Sequence, residues 1–192
     1  MTTHEERMAA AQRRASHSNR GKALEQLLEL THRRYQRTGV AYVQRNGVEF
    51  IPKKRRPGDF GPPLGTVGPE APPDYLALSR GCVPILFDAK STEDTTWSFS
   101  LLELHQARSL DAWSEAGGVS GLVVALDHMR VIGWVPWPAL SVRWHAWYAS
   151  TKRAAPGTAS LTAADLQACE GDWLPRALAQ REAELSTLTR KA

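Results

Sequence analysis

The chain has 192 residues, of which 42% are hydrophobic and 23% are charged, with a formal net charge of +4; these values are typical of one globular domain and exclude a disordered or fibrous chain. No apolar run approaches the roughly 20 residues that a membrane span needs, and residues 1–20 lack the apolar core of a signal peptide. We therefore expect a protein that does not associate with membranes. The two cysteines have no metal-binding or redox spacing, so we expect the protein to be reduced and cytoplasmic.

The surplus of positive charge lies in residues 1–60, whereas acidic residues predominate in the remainder. A basic segment of this kind is typical of a phosphate-binding surface, although exposed helices also carry arginine for solubility. Residues 1–17 are polar with little apolar periodicity, which predicts a flexible basic N-terminal arm. A helix is predicted from about Arg20 to Arg37. Its predicted buried stripe comprises Leu24, Leu27, Leu28, Thr31 and Tyr35, and its polar flank carries Glu25, Glu29 and His32.

Two short strands and an unusual Pro/Gly-rich stretch follow the first helix. Strands are predicted at Val40 to Gln44 and at Val48 to Pro52, on either side of the turn pair Asn46-Gly47. Residues 53–72 are so rich in proline and glycine that neither a helix nor a central strand is expected there. The base of this stretch carries Lys53, Lys54, Arg55 and Arg56. These cations favour a contact with nucleic acid, and a plain linker is the alternative.

Two further strands are predicted on either side of Gly81, and both carry acidic residues at their ends. Asp74 precedes the run Tyr75 to Ser79, and the next apolar run ends in Asp88 and Lys90. Residues two apart on a strand share a face, so adjacent strands would bring Asp88 and Lys90 together with Asp74. Converging carboxylates suit Mg²⁺ or Mn²⁺, and a lysine beside them can orient water, as in metal-assisted phosphodiester hydrolysis. The alternative is that these charges form a solvated strand end.

The rest of the chain alternates between helices and strands. A polar loop is predicted at Ser91 to Thr96, helices at Leu101 to Trp113, Ala139 to Ser150, Leu161 to Cys169 and Trp173 to Leu188, and strands at Val119 to Leu126 and Val131 to Val135. This order predicts an α/β fold with a mixed central sheet flanked by helices. We expect the tryptophans in the core or in a dimer interface rather than on a base-stacking surface.

Four short motifs occur in a fixed order along the chain. They are Arg20-Gly21-x-x-x-Glu25, Pro73-Asp74-Tyr75, Phe87-Asp88-Ala89-Lys90-Ser91-Thr92, and Phe99-Ser100-Leu101 followed by His105-Gln106. Together with the Pro/Gly-rich insertion, they resemble the RecU-like Holliday-junction resolvases of the PD-(D/E)xK nuclease superfamily, from about Ser18 to Val135. The resemblance implies a single nuclease domain over residues 18–192 with a restriction-endonuclease-like fold. It also implies a stalk at about residues 53–72 that projects into the open centre of a four-way junction.

The resemblance implies roles for individual residues. Asp74 and Asp88 match the metal-binding carboxylates, although relatives more often carry Glu at the position of Asp88, and the shorter side chain could alter the distance to the metal. Lys90 matches the catalytic lysine, Glu25 the outer acidic residue that completes the metal site, and Gln106 a polar residue near it. For Glu25 and Gln106, the alternatives are a plain exposed acid and a helix-surface amide. DNA contacts are implied for Arg20, Lys22, Lys53, Lys54, Arg55 and Arg56.

The activity that the resemblance implies is that of an Mg²⁺-dependent endodeoxyribonuclease, with Mn²⁺ as a substitute. Such an enzyme resolves four-way (Holliday) junctions in DNA recombination and repair by nicking two strands, and it acts as a homodimer. Two alternatives stay open. The first is another nuclease of the superfamily, which would cut duplex DNA. The second is a DNA-binding recombination protein without catalytic activity.

Overall fold

The computed structural model describes residues 22–47, 50–52, 65–67, 71–150, 159–167 and 170–191. The predicted arm at residues 1–17 lies outside them, as do Arg20, Lys53, Lys54, Arg55 and Arg56. The described elements are α1 (residues 22–38), β1 (Ala41–Arg45), β2 (Phe50–Pro52), β3 (Gly65–Val67), β4 (Tyr75–Ser79), β5 (Pro84–Thr92), β6 (Thr96–Ser98), a 3₁₀ turn (Phe99–Leu101), α2 (Leu104–Glu115), β7 (Val119–Leu126), β8 (Val131–Pro136), α3 (Trp137–Ala149), β9 (Ser160–Thr162), α4 (Ala163–Gln167) and α5 (Trp173–Lys191). None of the described helices combines the length and the apolar composition that crossing a bilayer requires.

A five-stranded sheet in the order β1-β4-β5-β7-β8 forms the centre of the molecule. β5 and β7 are parallel, and every other neighbouring pair is antiparallel. Parallel neighbours need a crossover connection, which α2 supplies between β5 and β7. The mixed sheet with flanking helices confirms the predicted α/β fold class.

The two faces of the sheet bury separate apolar clusters. On one face, Ile85 and Phe87 of β5 pack with residues of α1 and α5; we call this the α1–α5 face. On the other, Leu86 of β5 packs with residues of α2 and α3; we call this the α2–α3 face. Successive residues of β5 alternate between these faces, so Asp88 and Lys90 follow Leu86 onto the α2–α3 face.

Helix α1 buries a stripe that differs from the predicted one. Leu24, Leu28 and Tyr35 are buried as expected, but Leu27 is exposed and His32 is buried instead. His32 packs edge-on against Tyr75, with 4.9 Å between the ring centroids. Burial lowers the pKa of His32 to about 4, against the opposing charge of Asp172, so the ring is an uncharged core group at neutral pH. The buried stripe of α1 is thus rotated by about one position from the predicted one, because His32 packs against buried aromatic rings.

The tryptophan side chains lie mainly inside the molecule, in the core that was one of their two expected places. Trp113 is half-buried, and the other tryptophans, all buried, are Trp97, Trp134, Trp137, Trp144, Trp147 and Trp173.

Strands occur at both positions predicted before the Pro/Gly-rich stretch, as β1 and β2. β1 pairs with β4, whereas β2 pairs with β3 in a separate two-stranded ladder that contains part of the Pro/Gly-rich stretch. Two other predictions about short segments were wrong in part. The predicted loop at 91–96 contains the end of β5 and the start of β6. The predicted helix at 161–169 begins instead with β9, because Leu161 pairs with Trp97 across a β6–β9 ladder and both side chains are buried.

Candidate active site

The β4–β5 pair brings two carboxylates together at one end of the sheet. Tyr75 faces Phe87 across this antiparallel pair, so Asp74, just before β4, lies next to Asp88 of β5. The backbone N–H of Asp74 donates to Asp88 Oδ1 at 3.2 Å, and the N–H of Ala89 donates to Asp74 Oδ2 at 2.9 Å. Each carboxylate is therefore oriented by the strand that carries the other one.

Lys90 and Gln106 complete a closed ring of contacts with Asp88. Lys90 Nζ lies 2.7 Å from Asp88 Oδ2 and donates to Gln106 Oε1 at 3.1 Å. Gln106 Nε2 donates to Asp88 Oδ1 at 3.1 Å. Gln106 lies in the first turn of α2, where the N–H of Glu103 also donates to its Oε1, at 3.3 Å. The start of α2 thereby fixes the amide that orients both the carboxylate and the lysine.

Asp88 is fully buried, and this burial governs its charge. Burial raises the pKa of Asp88 from 3.8 to about 7, the charge of Lys90 opposes the rise, and the charge of Asp74 adds to it. Lys90 balances the charge of Asp88, but the neighbouring Asp74 adds a second negative charge, so a cation beside them would stabilise the ionised form of Asp88.

The carboxylates of Asp74 and Asp88 would suit a hard divalent cation. Asp88 Oδ2 is buried and is paired with Lys90 Nζ at 2.7 Å. Asp74 is half-buried, and its Oδ2 accepts the N–H of Ala89. Carboxylate oxygens are the ligands that Mg²⁺ and Mn²⁺ prefer. Among the described residues, however, no group of three or more His, Cys, Asp or Glu side chains is placed to hold a metal.

Glu25 does not join the two aspartates. Its Oε2 lies 2.9 Å from Arg45 Nη1, and both side chains are partly exposed. Burial lowers the pKa of Arg45, but the hydrogen bond and the charge of Glu25 outweigh it and raise this pKa above its usual range; Asp74 also raises it. Sequence reasoning missed Arg45, because only the β1–β4 pairing places it opposite Tyr75 at this end of the sheet.

Of the residues for which DNA contacts are implied, the described part of the chain contains only Lys22, which is exposed at the start of α1.

Besides Arg45, the sequence did not indicate the carboxylate of Glu103, whose Oε2 lies 3.3 Å from His105 Nδ1. This pair lies beside Gln106, so the polar network around the carboxylates extends along the first turn of α2.

Comparisons with known proteins identify a family and a distant structural resemblance. No curated protein matches the sequence. The structure of Hjc, a Holliday junction resolvase from the archaeal hyperthermophile Archaeoglobus fulgidus, matches with 14% sequence identity and a TM-score of 0.38. That match covers 61% of this chain and 77% of Hjc, and it is too remote to bear on function.

The family model described as Recombination protein U matches residues 19–164. This range is most of the chain, and it contains Asp74, Asp88, Lys90 and Gln106. The chain therefore belongs to the Recombination protein U family, which confirms its resemblance to the RecU-like Holliday-junction resolvases and the endonuclease role in recombination that this resemblance implies.

Proposed function

We propose that this endonuclease cuts four-way DNA junctions by metal-dependent phosphodiester hydrolysis at the site formed by Asp74, Asp88, Lys90 and Gln106. The observation that carries the proposal is the ring of contacts among Asp88, Lys90 and Gln106 beside Asp74. It unites two carboxylates, an ammonium group and an amide from three elements at one sheet end. Mg²⁺ is the proposed ion, and Mn²⁺ the proposed substitute, because the charged ligand atoms that the site offers to a metal are carboxylate oxygens.

The residues divide the chemistry among them. A divalent cation, when bound, supplies positive charge that polarises a phosphate oxygen and makes water more acidic. Asp74 and Asp88 would hold that cation, and the N–H of Ala89 restrains the carboxylate of Asp74 by donating to its Oδ2. Lys90 carries an ammonium group that can orient the attacking water or stabilise negative charge on a phosphate oxygen. Gln106 restrains Lys90, so the ammonium group meets the substrate already oriented.

Glu25 is proposed as the outer acidic residue of the site. Its bond to Arg45 must break before it can contact the metal directly, whereas a contact through water could leave that bond in place. An exposed ion pair contributes only about 0–1 kcal/mol, so such an exchange of partners costs little.

Recognition of the junction is proposed to depend on phosphate contacts and on shape. Arg20 and Lys22 would contact phosphates near the cut, and Lys53, Lys54, Arg55 and Arg56 would do so at the base of the insertion. The β2–β3 ladder supports this view of the insertion, because it holds the two ends of residues 53–64 side by side, as a projecting stalk requires. Binding by such contacts should weaken steeply as the salt concentration rises.

A homodimer is the proposed active form, since one chain carries one catalytic site and resolution needs two symmetric cuts. We also propose that the protein acts in the cytoplasm, in accord with the free thiol of Cys82.

The test is cleavage of a labelled four-way junction by the purified protein, with its linear duplex arms as the matched substrates. We expect paired nicks in the junction with Mg²⁺, no cutting with a chelator, and much slower cutting of the arms. Equal rates on the junction and the arms would identify a duplex nuclease instead. Binding without cutting in either Mg²⁺ or Mn²⁺ would identify a non-catalytic junction-binding protein.

A further inference from the structure

A second cleft lies directly beside the proposed catalytic site. It has a volume of about 360 Å³ and runs between α2 and the segment that leads into Asp74. Its lining residues are Ala71, Pro72, His105, Arg108, Ser109 and Ala112. Pro72 is two residues before Asp74, and His105 is the neighbour of Gln106. A strand of DNA that crosses the catalytic carboxylates can therefore continue into this cleft.

The lining of the cleft favours an anion. Arg108 is exposed and makes no hydrogen bond or ion pair with any described residue. No carboxylate is among the lining residues. Along the helix, Asp111 accepts from Trp137 Nε1 at 2.8 Å and lies 2.9 Å from His145 Nε2, and Glu103 lies 3.3 Å from His105 Nδ1. A guanidinium without a partner in an acid-free cleft is complementary to a phosphate group, which it can bind through two parallel hydrogen bonds.

His105 adds a second polar group to the same cleft. With Nδ1 turned toward Glu103, the other ring nitrogen, Nε2, is buried and has no hydrogen-bond partner in the described part of the chain. Buried nitrogens without a hydrogen-bond partner are rare in folded proteins. An oxygen that enters the cleft beside the ring would supply the partner that Nε2 lacks. His105 and Arg108 are three residues apart on α2, so they lie on the same side of the helix.

We propose that this cleft binds the backbone phosphate next to the one that is cut, with Arg108 as its main contact and His105 beside it. The inference rests on the proposed junction-cutting function. The cleft begins within one helical turn, about 5 Å, of Gln106, so the phosphate that it holds is an immediate neighbour of the scissile one. Arg108 and His105 are thus positioning residues that set the register of the DNA strand over Asp74 and Asp88.

The first experiment compares Arg108→Gln with Arg190→Gln, which removes an exposed arginine near the end of α5. Junction affinity is measured by gel shift in a chelating buffer, so the readout does not depend on cutting. We expect Arg108→Gln to weaken binding roughly fivefold to tenfold, as for loss of a charge-assisted hydrogen bond, and to reduce the slope of log K against log salt by about one. Arg190→Gln should leave both quantities unchanged.

The second experiment replaces single phosphates near the cut with uncharged methylphosphonates, one position at a time. For the unaltered protein, we expect the replacement beside the scissile phosphate to weaken binding by a similar factor. In Arg108→Gln, the same replacement should cost nothing further, because two changes to one contact are not additive. Cleavage at saturating DNA should also be slower in Arg108→Gln, because a strand that lacks this contact is less often held in register over Asp74 and Asp88.

Additive losses at every position, or an Arg108→Gln protein indistinguishable from Arg190→Gln, would overturn the assignment. His105→Asn provides a second variant with the same expected non-additivity, and circular dichroism checks that it is folded. A protein that binds the junction through Arg108 but never cuts it would contradict the proposed catalytic function and leave the phosphate subsite standing.

Discussion

The two helices that approach the catalytic strand place their polar side chains in opposite situations. On the α2 side, Gln106 is buried and bonded to both Asp88 and Lys90. On the α1 side, Glu25 is partly exposed and bonded to Arg45 rather than to either aspartate. Side chains that must hold one geometry are buried and connected by hydrogen bonds, whereas an exposed ion pair is weak enough to exchange partners. We call the side of the site formed by Gln106 its rigid wall and the side formed by Glu25 its adjustable wall.

The largest effect should come from the two carboxylates, Asp74 and Asp88. Asp74→Asn or Asp88→Asn should slow junction cutting at least about a thousandfold, because charge stabilisation by a metal contributes several kcal/mol. Binding should stay within a few fold, since affinity comes from distributed cations. Single-turnover cleavage and gel shift measure the two quantities. Normal cutting by either variant in Mg²⁺ would remove the metal-site assignment.

Lys90→Ala should have the next largest effect. We expect a loss of roughly a hundredfold to a thousandfold in cutting, typical of removing one group that stabilises charge in the transition state. Mn²⁺ binding, followed by calorimetry, should persist because both carboxylates remain. A nearly normal rate would make Lys90 a strand-end charge without a catalytic role.

Gln106→Ala tests the rigid wall itself. Loss of a residue that orients catalytic groups typically costs about tenfold to a hundredfold in activity. The fall should appear in the rate at saturating DNA rather than in affinity, because the amide acts on Asp88 and Lys90. Gln167→Ala, an exposed glutamine on α4, is the matched control. Equal rates for the two variants would show that Gln106 is only a helix-surface amide.

Glu25→Gln tests the adjustable wall and should have the smallest effect, a loss of about tenfold or less with a higher Mg²⁺ requirement. The matched control is Glu29→Gln on the same helix, whose partner Arg33 lies 3.6 Å away on the surface. A Glu25 variant that titrates with Mg²⁺ as the control does would assign Glu25 to the surface ion pair alone.

Sequence reasoning worked best where the signal was long or strictly periodic. The apolar runs of β5 and β7 predicted the central strands, and the two-residue period of a strand predicted that Asp88 and Lys90 share a face. It failed where structure depends on distant partners. The Glu25–Arg45 pair requires the pairing of β1 with β4, and β9 is only three residues long, so neither leaves a periodic pattern to read.

Strand β5 pairs with β4 over residues 84–87 and with β7 over residues 85–92, so its first half is hydrogen-bonded on both sides. Amides paired on both sides exchange with solvent only when the whole domain opens, unlike those of edge strands and loops, which exchange through local fluctuations. Deuterium should therefore enter residues 85–87 among the last segments of the chain. Asp88 and Lys90 lie in the half that has a strand neighbour, β7, on one side only, so deuterium should enter the active-site half of β5 earlier than its first half.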